Sequence, residues 1–463
     1  MPVIDQEILP TCASVGYTEG SHCKKCNTIL IQQTEVAKID NHSFVDGICL
    51  VCNSTKQLLQ KEFDSELPTF FIHTNGATIP DRSHPNYKDY AECEITMFNG
   101  DVKEFGESAK IRIRGTSSRW FEKKGYKLKF SSAKELEGLP NSKKYNLLAS
   151  YMDPCKLRDY LALSISHIMN NNSDRYAPVP ILSQVYIDDN YRGLYFLVDD
   201  IDSGSGKIEL QDYTDQDVEI PFILEMDTVA YKDGVEGQNY FALGRTDVFD
   251  YDGDGWTDLL YVIDSDDNLT SAQFNYIQNY ITLCRQALVN KDVNEFKRLV
   301  DINSFIDYFL LGELFRNTDM AGRSVYMYRE SSNSKLVFGP SWDFDYTCSR
   351  PYQLGPNVDF TLENAKDRFI NYDWWMLFLD IPGAEQLIKQ RYTIYLRDIF
   401  VHEIESAKQF YLFYQDEIKE DASIWFNDDV DDTNKLVEDN FKWTSDYFVL
   451  RIEMLDELFL IQQ

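Results

Sequence analysis

The chain has 463 residues, with 45 Lys and Arg against 76 Asp and Glu and a formal charge of -31 at pH 7. That balance argues against nucleic acid, whose phosphates need Lys and Arg partners, and favours partners that are basic or bridged by cations. A hydrophobic share of 43%, with 29 Tyr and 29 Phe, is enough for a large core, and no apolar run reaches the ~18 residues of a membrane-spanning helix. The start, MPVIDQEILP, carries no basic and apolar leader, which suits either a cytoplasmic chain or a segment of a longer secreted one.

Residues 1–60 read as a segment apart. They hold Cys12, Cys23, Cys26, Cys49 and Cys52, out of nine cysteines in the chain. Two CxxC pairs at this separation fit the four-thiolate zinc pattern, and a segment this short needs such a staple to fold. A structural Zn2+ on Cys23, Cys26, Cys49 and Cys52 is therefore expected, with His22 and His42 as substitute ligands. A disulfide pair or reduced thiols is the competing outcome. Cys93, Cys155, Cys284 and Cys348 are scattered and read as buried free thiols.

The main domain is placed at 61–463. LPTFFIHT and AECEITMFN read as strands. In AKIRIRGTSSRWFEKKGYKLKFSS, Ile111 and Ile113 point one way while Arg112 and Arg114 point the other. Tyr126, Leu128 and Phe130 likewise oppose Lys127 and Lys129. Two adjacent strands then present a basic stripe, with Gly115, Thr116, Ser117 and Ser118 in the turn between them. Such a stripe suits phosphate groups; the plainer alternative is a solvated strand face offset by acidic neighbours. NLLASYMDPCKLRDYLALSISHIMN reads as a helix with Asp153 as N-cap, Pro154 at N1, and Leu157, Leu161, Ile165 and Ile168 on its apolar face. SQVYIDDNYRGLYFLVDDID is a hairpin turning at Asp189-Asn190, and PFILEMD is a further strand.

An insertion at about 247–262, DVFDYDGDGWTDLL, sets Asp250, Asp252, Asp254, Gly255 and Asp258 at the oxygen-ligand spacing of a calcium loop. Tyr261 stands where an EF-hand has Glu, so a stabilising Ca2+ outside an EF-hand is expected, against a solvated acidic loop. LTSAQFNYIQNYITLCRQALVN is a helix capped by Thr270 or Ser271, and DINSFIDYFLLGELFRN is another that carries Glu313 towards the centre. Beyond it, Asn317 and Asp319 are joined to Asp343 and Asp345 by SVYMYRE and KLVFGPSW, two alternating strands with SSNS between. A hairpin returns its ends to one place, so Asp319 is expected to face Asp343 and Asp345. Carboxylates gathered that way repel unless a divalent cation sits among them. From Tyr372 the chain reads as amphipathic helices of a C-terminal lobe.

IRIRGTSSRWFEKKGYKLKF, LRDYLALSI, YRGLYFLVDDID, FILEMD, FLLGELFRNTDMAGRSVYMYRE and KLVFGPSWDFDYT follow one another in an order that resembles the spore-coat CotH kinase family, over roughly 67–463. The resemblance implies an α+β, atypical protein-kinase-like fold with a mixed or antiparallel β lobe and a helical C-terminal lobe. It also implies an ATP- and Mg2+-dependent phosphotransferase acting on Ser or Thr of secreted or surface proteins. Lys127 resembles the strand lysine that neutralises nucleotide phosphates, with Lys129 the alternative on the same face and Arg114 beside it. Asp319 matches the catalytic aspartate, Asp343 the magnesium-holding one with Asp345 assisting, and Ser324 stands where protein kinases place an Asn metal ligand. Asp199, Glu313 and Asn317 complete the implied nucleotide set. The sequence departs from the family at Ser164, where many members have a helix glutamate, at Asp199, where relatives carry Glu, and after WDFD, where a glycine is usual. A second reading keeps the fold as a non-catalytic adhesin or scaffold that binds a protein partner. The wording TCASVGYTEGSHCKKCN and HSFVDGICLVCN resembles clostridial cell-surface repeats, which implies a secreted or cell-surface setting.

Overall fold

The computed structural model describes residues 2–5, 16–26, 28–36, 44–45, 48–49, 63–64, 66–81, 88–115, 118–228, 236–247, 257–265, 268–345, 347–348, 362, 364–370, 372–426 and 430–461. Strand alternation closes the first part of the main domain into a barrel. Its strands are β1 (Thr69–His73), β2 (Ala91–Asn99), β3 (Val102–Ile113), β4 (Tyr126–Leu136), β5 (Leu139–Leu148), β6 (Ile181–Ile187) and β7 (Asn190–Asp199), in the order β3-β4-β5-β7-β6-β1-β2. Every ladder is antiparallel except β6 on β1. One strand parity, with Phe70, Ile95, Ile111, Leu128, Tyr145 and Leu197, fills the barrel interior. The other parity of β5 and β7, with Leu148, Phe196 and Val198, joins a larger core shared with the helices.

Helix α1 (Leu157–Asn171) begins later than the Pro154 start read from the sequence, because Lys156 takes a left-handed φ of 59°. Asp153 still caps, from one turn further out, by accepting the Arg158 N–H at 2.6 Å. The β6–β7 hairpin turns at Asp188-Asp189, both left-handed (φ 47° and 63°), with Ile187 opposite Asn190. That is one residue earlier than expected, and a two-residue left-handed turn matches the twist of the strands it joins.

A second sheet holds β8 (Phe222–Met226), β9 (Tyr240–Thr246), β10 (Thr257–Ile263), β11 (Val325–Arg329) and β12 (Val337–Phe338) in the order β9-β10-β8-β11-β12. Between β10 and β11 lie α2 (Ser271–Val289), α3 (Val293–Leu299) and α4 (Ile302–Phe315). Thr270 caps α2 through a reciprocal box with Gln273, and α4 is buried from Ser304 to Phe315. The tail folds as α5 (Asp373–Leu379), α6 (Ala384–Arg391), α7 (Arg397–Phe413), α8 (Gln415–Trp425) and α9 (Val430–Phe459). Helix α7 packs on α1, and α9 on α4, α7 and α8. The architecture is mixed α+β. Among the described residues no helix is long and apolar enough to cross a membrane.

In the N-terminal segment Pro2–Asp5, Gly20–Cys23 and Ile29–Ile31 form a small sheet. Cys23 and Cys26 are free, and hydrogen bonds from Thr28, then from Cys23, draw the Cys26 thiol down to about 7. His22 is engaged by Asp5, Nδ1 to Oδ1 at 2.8 Å. Of Cys49 only its strand pairing with Phe44 is described; Cys52 and His42 lie outside the described residues. Asp250, Asp252 and Asp254 lie outside them too. Asp258 stands on β10, exposed and paired with Arg245 at 2.8 Å, while Tyr261 is core, its hydroxyl accepting the Trp374 indole N–H at 2.7 Å. Cys93, Cys155, Cys284 and Cys348 are buried free thiols.

Candidate active site

The outward parity of the barrel carries cations in cross-strand rows. Arg112 stands opposite Lys127, which stands opposite Asn146; in the next row Lys110 faces Lys129, which faces Lys144. Lys127 is paired with Asp200 at 2.6 Å, and Asn146 donates to the same carboxylate at 2.9 Å. Burial works to raise the Asp200 pKa, but Lys127 and these hydrogen bonds bring it below the usual carboxylate range. Asp199 does not play this part. It lies opposite Tyr145 in the ladder, on the parity of Leu197 and the barrel interior. There it accepts the Tyr176 hydroxyl, has Lys207 at 3.8 Å, and is pushed up chiefly by burial. The counter-carboxylate of Lys127 is one residue further on, and strand alternation is the reason. Arg114 lies over the Trp342 ring at 5.2 Å, and exposed Lys129 over Tyr90 at 5.9 Å.

The opposite wall is acidic. Helix α4 ends at a left-handed Arg316 (φ 49°), and the Asn317 side chain accepts the Asp319 N–H at 3.0 Å to open a single 3-10 turn, Thr318–Ala321. Gly322 closes the turn with φ 150°, and a Cβ there would meet Leu259 Cδ2 at 2.7 Å and Thr228 Cγ2 at 2.8 Å. The turn is thus pressed onto β10 and the end of β8, where Thr228 N–H donates to Gly322 O at 2.9 Å. Asp319 is half-buried, and burial, then Asp343 and Asp227, push its carboxyl up to about 8. The hairpin β11–β12 brings its ends together: Ser324 Oγ donates to Asp343 Oδ2 at 3.3 Å. Both residues hold left-handed backbones, φ 50° and 63°. Burial, then Asp343 and Asp159, push Asp345 well above the usual range.

Several acidic residues here escaped the sequence reading. Asp159 on α1 accepts the Ser150 hydroxyl, and burial, against that bond and reinforced by Asp343, moves it up to about 6. The carboxylate that α1 supplies is therefore Asp159, directed at Asp343 and Asp345, while Ser164 is buried. Glu225 on β8, and Asp227 just past its end, share a parity with Ile223, opposite Phe222, Leu224 and Met226. Burial, then Asp227 and Asp264, push Glu225 well above the usual range, and it is hydrogen-bonded to Tyr326. Period-2 alternation in FILEMD was the signal, since two carboxylates on one face of a core strand need a reason.

Glu313 is not at this wall. Its carboxylate accepts Phe369 N–H at 3.0 Å, Ile370 N–H at 2.9 Å and the Arg451 guanidinium at 3.0 Å. Both oxygens are occupied, so its place is that of a clasp between α4, residues 368–370 and α9 in place of the nucleotide contact expected. Asn317 acts on the turn itself, as the cap that aims Asp319.

Among the described residues no three His, Cys, Asp or Glu side chains stand close enough to ligate a metal as they are. The donor chemistry nevertheless fits a hard divalent cation. Asp343 disfavours ionisation of both Asp319 and Asp345, and Ser324 adds a hydroxyl oxygen; oxygen-only donors of this kind suit magnesium. The family model described as CotH kinase protein matches residues 111–451, a span that includes the Arg112–Lys127 row, the Asp319 turn and Arg451. No curated protein matches the chain.

Proposed function

Because the chain belongs to the CotH kinase family, we propose that it is a phosphotransferase that moves the γ-phosphoryl group of ATP to a Ser or Thr hydroxyl of a secreted or surface protein, with Mg2+. The observation that carries this is Asp319: a carboxylate raised to about 8 by burial and by Asp343, on a turn capped by Asn317. A base of that proton affinity accepts a hydroxyl proton near neutral pH. Asp319 orients the acceptor hydroxyl and takes its proton as the acceptor oxygen bonds to the γ-phosphorus. The bond from that phosphorus to the β–γ bridging oxygen breaks, and ADP leaves with the electron pair. Asp343, steadied by Ser324, would hold Mg2+ with Asp345, and bound Mg2+ supplies charge neutralisation across the phosphate oxygens. Lys127, fixed by Asp200, faces the phosphates from the barrel. Structural Zn2+ on Cys23, Cys26, Cys49 and Cys52, and Ca2+ on Asp250, Asp252, Asp254 and Asp258, belong to the same proposal and are checked by elemental analysis after dialysis.

The test is phosphate transfer from labelled ATP to a Ser/Thr peptide library, for the wild type, Asp319→Asn and Asp343→Ala. The expected fall is on the order of 100-fold or more in either variant. A wild type that transfers nothing, and whose melting temperature ignores Mg2+ and ATP, overturns the proposal and favours the protein-binding module.

A further inference from the structure

The barrel face opposes like charges three times over: Arg112 to Lys127, Lys110 to Lys129, and Lys129 to Lys144. Like charges directly opposite on a sheet are destabilising, and the whole chain carries -31, so this local excess of cations runs against the composition. Carboxylates answer part of it. Lys110 has Glu92 at 2.6 Å, Lys127 has Asp200 at 2.6 Å and Lys144 has Asp202 at 3.6 Å. Arg112 and Lys129 are left. Among the described residues their partner is a ring, Tyr90, with Arg112 at 5.2 Å and Lys129 at 5.9 Å from its centroid. The Arg112 Nε is buried and has no hydrogen-bond partner among the described residues, and an unmade hydrogen bond of a buried charged donor is costly.

We infer that Arg112 and Lys129, both resting over the Tyr90 ring, form an anion subsite for the linked phosphates of a nucleoside polyphosphate, beyond the phosphate at Lys127. This deepens the phosphotransferase reading and rests on it for the identity of the ligand. The lattice of the barrel sets the spacing: Arg112 is one strand, about 5 Å, from Lys127, and Lys129 is two residues, about 7 Å, along the same strand. A chain of two or three phosphates spans that distance, whereas one carboxylate does not. Tyr90 stiffens both cations without neutralising them, which a carboxylate in its place would do. Lys127 is largely answered by Asp200, so the phosphate charge falls on Arg112 and Lys129.

Calorimetric titration of ADP, pyrophosphate and adenosine, with Mg2+ present, tests this on the full chain as wild type, Arg112→Gln, Lys129→Gln and the double variant. ADP should bind roughly tenfold more weakly in each single variant, with adenosine unchanged and a shallower salt dependence. Without ligand, melting temperatures should equal or exceed the wild type, because each change removes one member of a like-charged pair; a clear fall would show a structural role and overturn the subsite. Pyrophosphate binding lost alongside ADP marks free polyphosphate as a source of the same chemistry; ADP lost alone marks the nucleotide. An ADP affinity within about twofold of wild type in the double variant overturns the subsite, and it leaves the phosphotransferase standing if transfer is still abolished by Asp343→Ala. Pyrophosphate binding that vanishes in Arg112→Gln, in a protein with no transfer activity, does the reverse.

Discussion

Asp421 and Glu313 are both 0% exposed, and each is paired with buried cations; Asp319, Asp345 and Glu225 are half-buried, and neighbouring carboxylates, Asp343 among them for all three, raise them further. Asp421 on α8 accepts Leu194 N–H at 2.8 Å and pairs with Lys123 at 2.5 Å and Lys156 at 2.9 Å. Those partners tie the loop before β4, strand β7 and the start of α1 to the C-terminal helices. Lys123 is so deeply placed that burial lowers its ammonium to about 7 even with Asp421 beside it. Glu313 and Arg451 do the same for α4 and α9. In the cleft the carboxylates have been left to raise one another's proton affinity. Charge that is buried and matched by opposite charge holds elements together; carboxylates crowded on one another are open to a cation.

The sharpest way to break that distinction is to unpair a clasp. Asp421→Asn leaves two ammoniums without a carboxylate, and Glu313→Gln leaves Arg451 buried without one. Each should cost about 3–5 kcal/mol in urea unfolding, while the remaining folded fraction still binds nucleotide. A cost below about 1 kcal/mol would mean that these pairs behave like surface pairs. Gly193→Ala should be somewhat milder, at roughly 2 kcal/mol. Its φ is 84°, and a Cβ would stand 2.0 Å from Asp421 Oδ1, so the substitution strains β7 and pushes the carboxylate off Leu194.

The cleft should respond in the opposite sense. Asp319 is protonated at low pH in the folded state, with its carboxyl raised to about 8 against 3.8 for the ordinary group. A raised pKa gives stability that is present below the unfolded value and lost as pH climbs through the folded one. Without divalent cation, the melting temperature should therefore fall across pH 4 to 8, by on the order of a few degrees, and Asp319→Asn should flatten the slope. Saturating Mg2+ should flatten it in the wild type as well, since a bound cation favours the ionised carboxylates. A pH slope unchanged in Asp319→Asn would show that the crowding has no energetic weight.

These contrasts also explain what the sequence disclosed. Local period was readable: Ile111 and Ile113 against Arg112, Tyr126 and Leu128 against Lys127, the Thr270 cap, and the hairpin that returns Asp343 to Ser324. Long-range register was not. Nothing local says that β6 lies parallel to β1, or that β7 sits beside β5 so that Asp200 and not Asp199 reaches Lys127. Glu313 looked central by proximity to Asp319, yet in α4 its partners are Phe369, Ile370 and Arg451, far along the chain. Asp159 carries no local signal: in the sequence it is one more acid in the first turn of α1, and only the fold brings that turn to Asp343 and Asp345.

The smallest effect belongs to the charges that are both exposed and paired. Arg245 and Asp258 have side chains 64% and 54% exposed, so their 2.8 Å contact is screened by water and costs side-chain freedom to maintain. Asp258→Asn should shift stability by no more than about 0.5 kcal/mol in chelator-treated protein. The same variant separates two descriptions of that residue. If the pair with Arg245 is all that Asp258 does, adding Ca2+ will stabilise wild type and variant alike. If Asp258 also serves the acidic loop that begins the strand, Ca2+ must compete with Arg245 for it. The calcium-dependent gain should then shrink in Asp258→Asn and grow in Arg245→Gln, two changes of opposite sign from one contact.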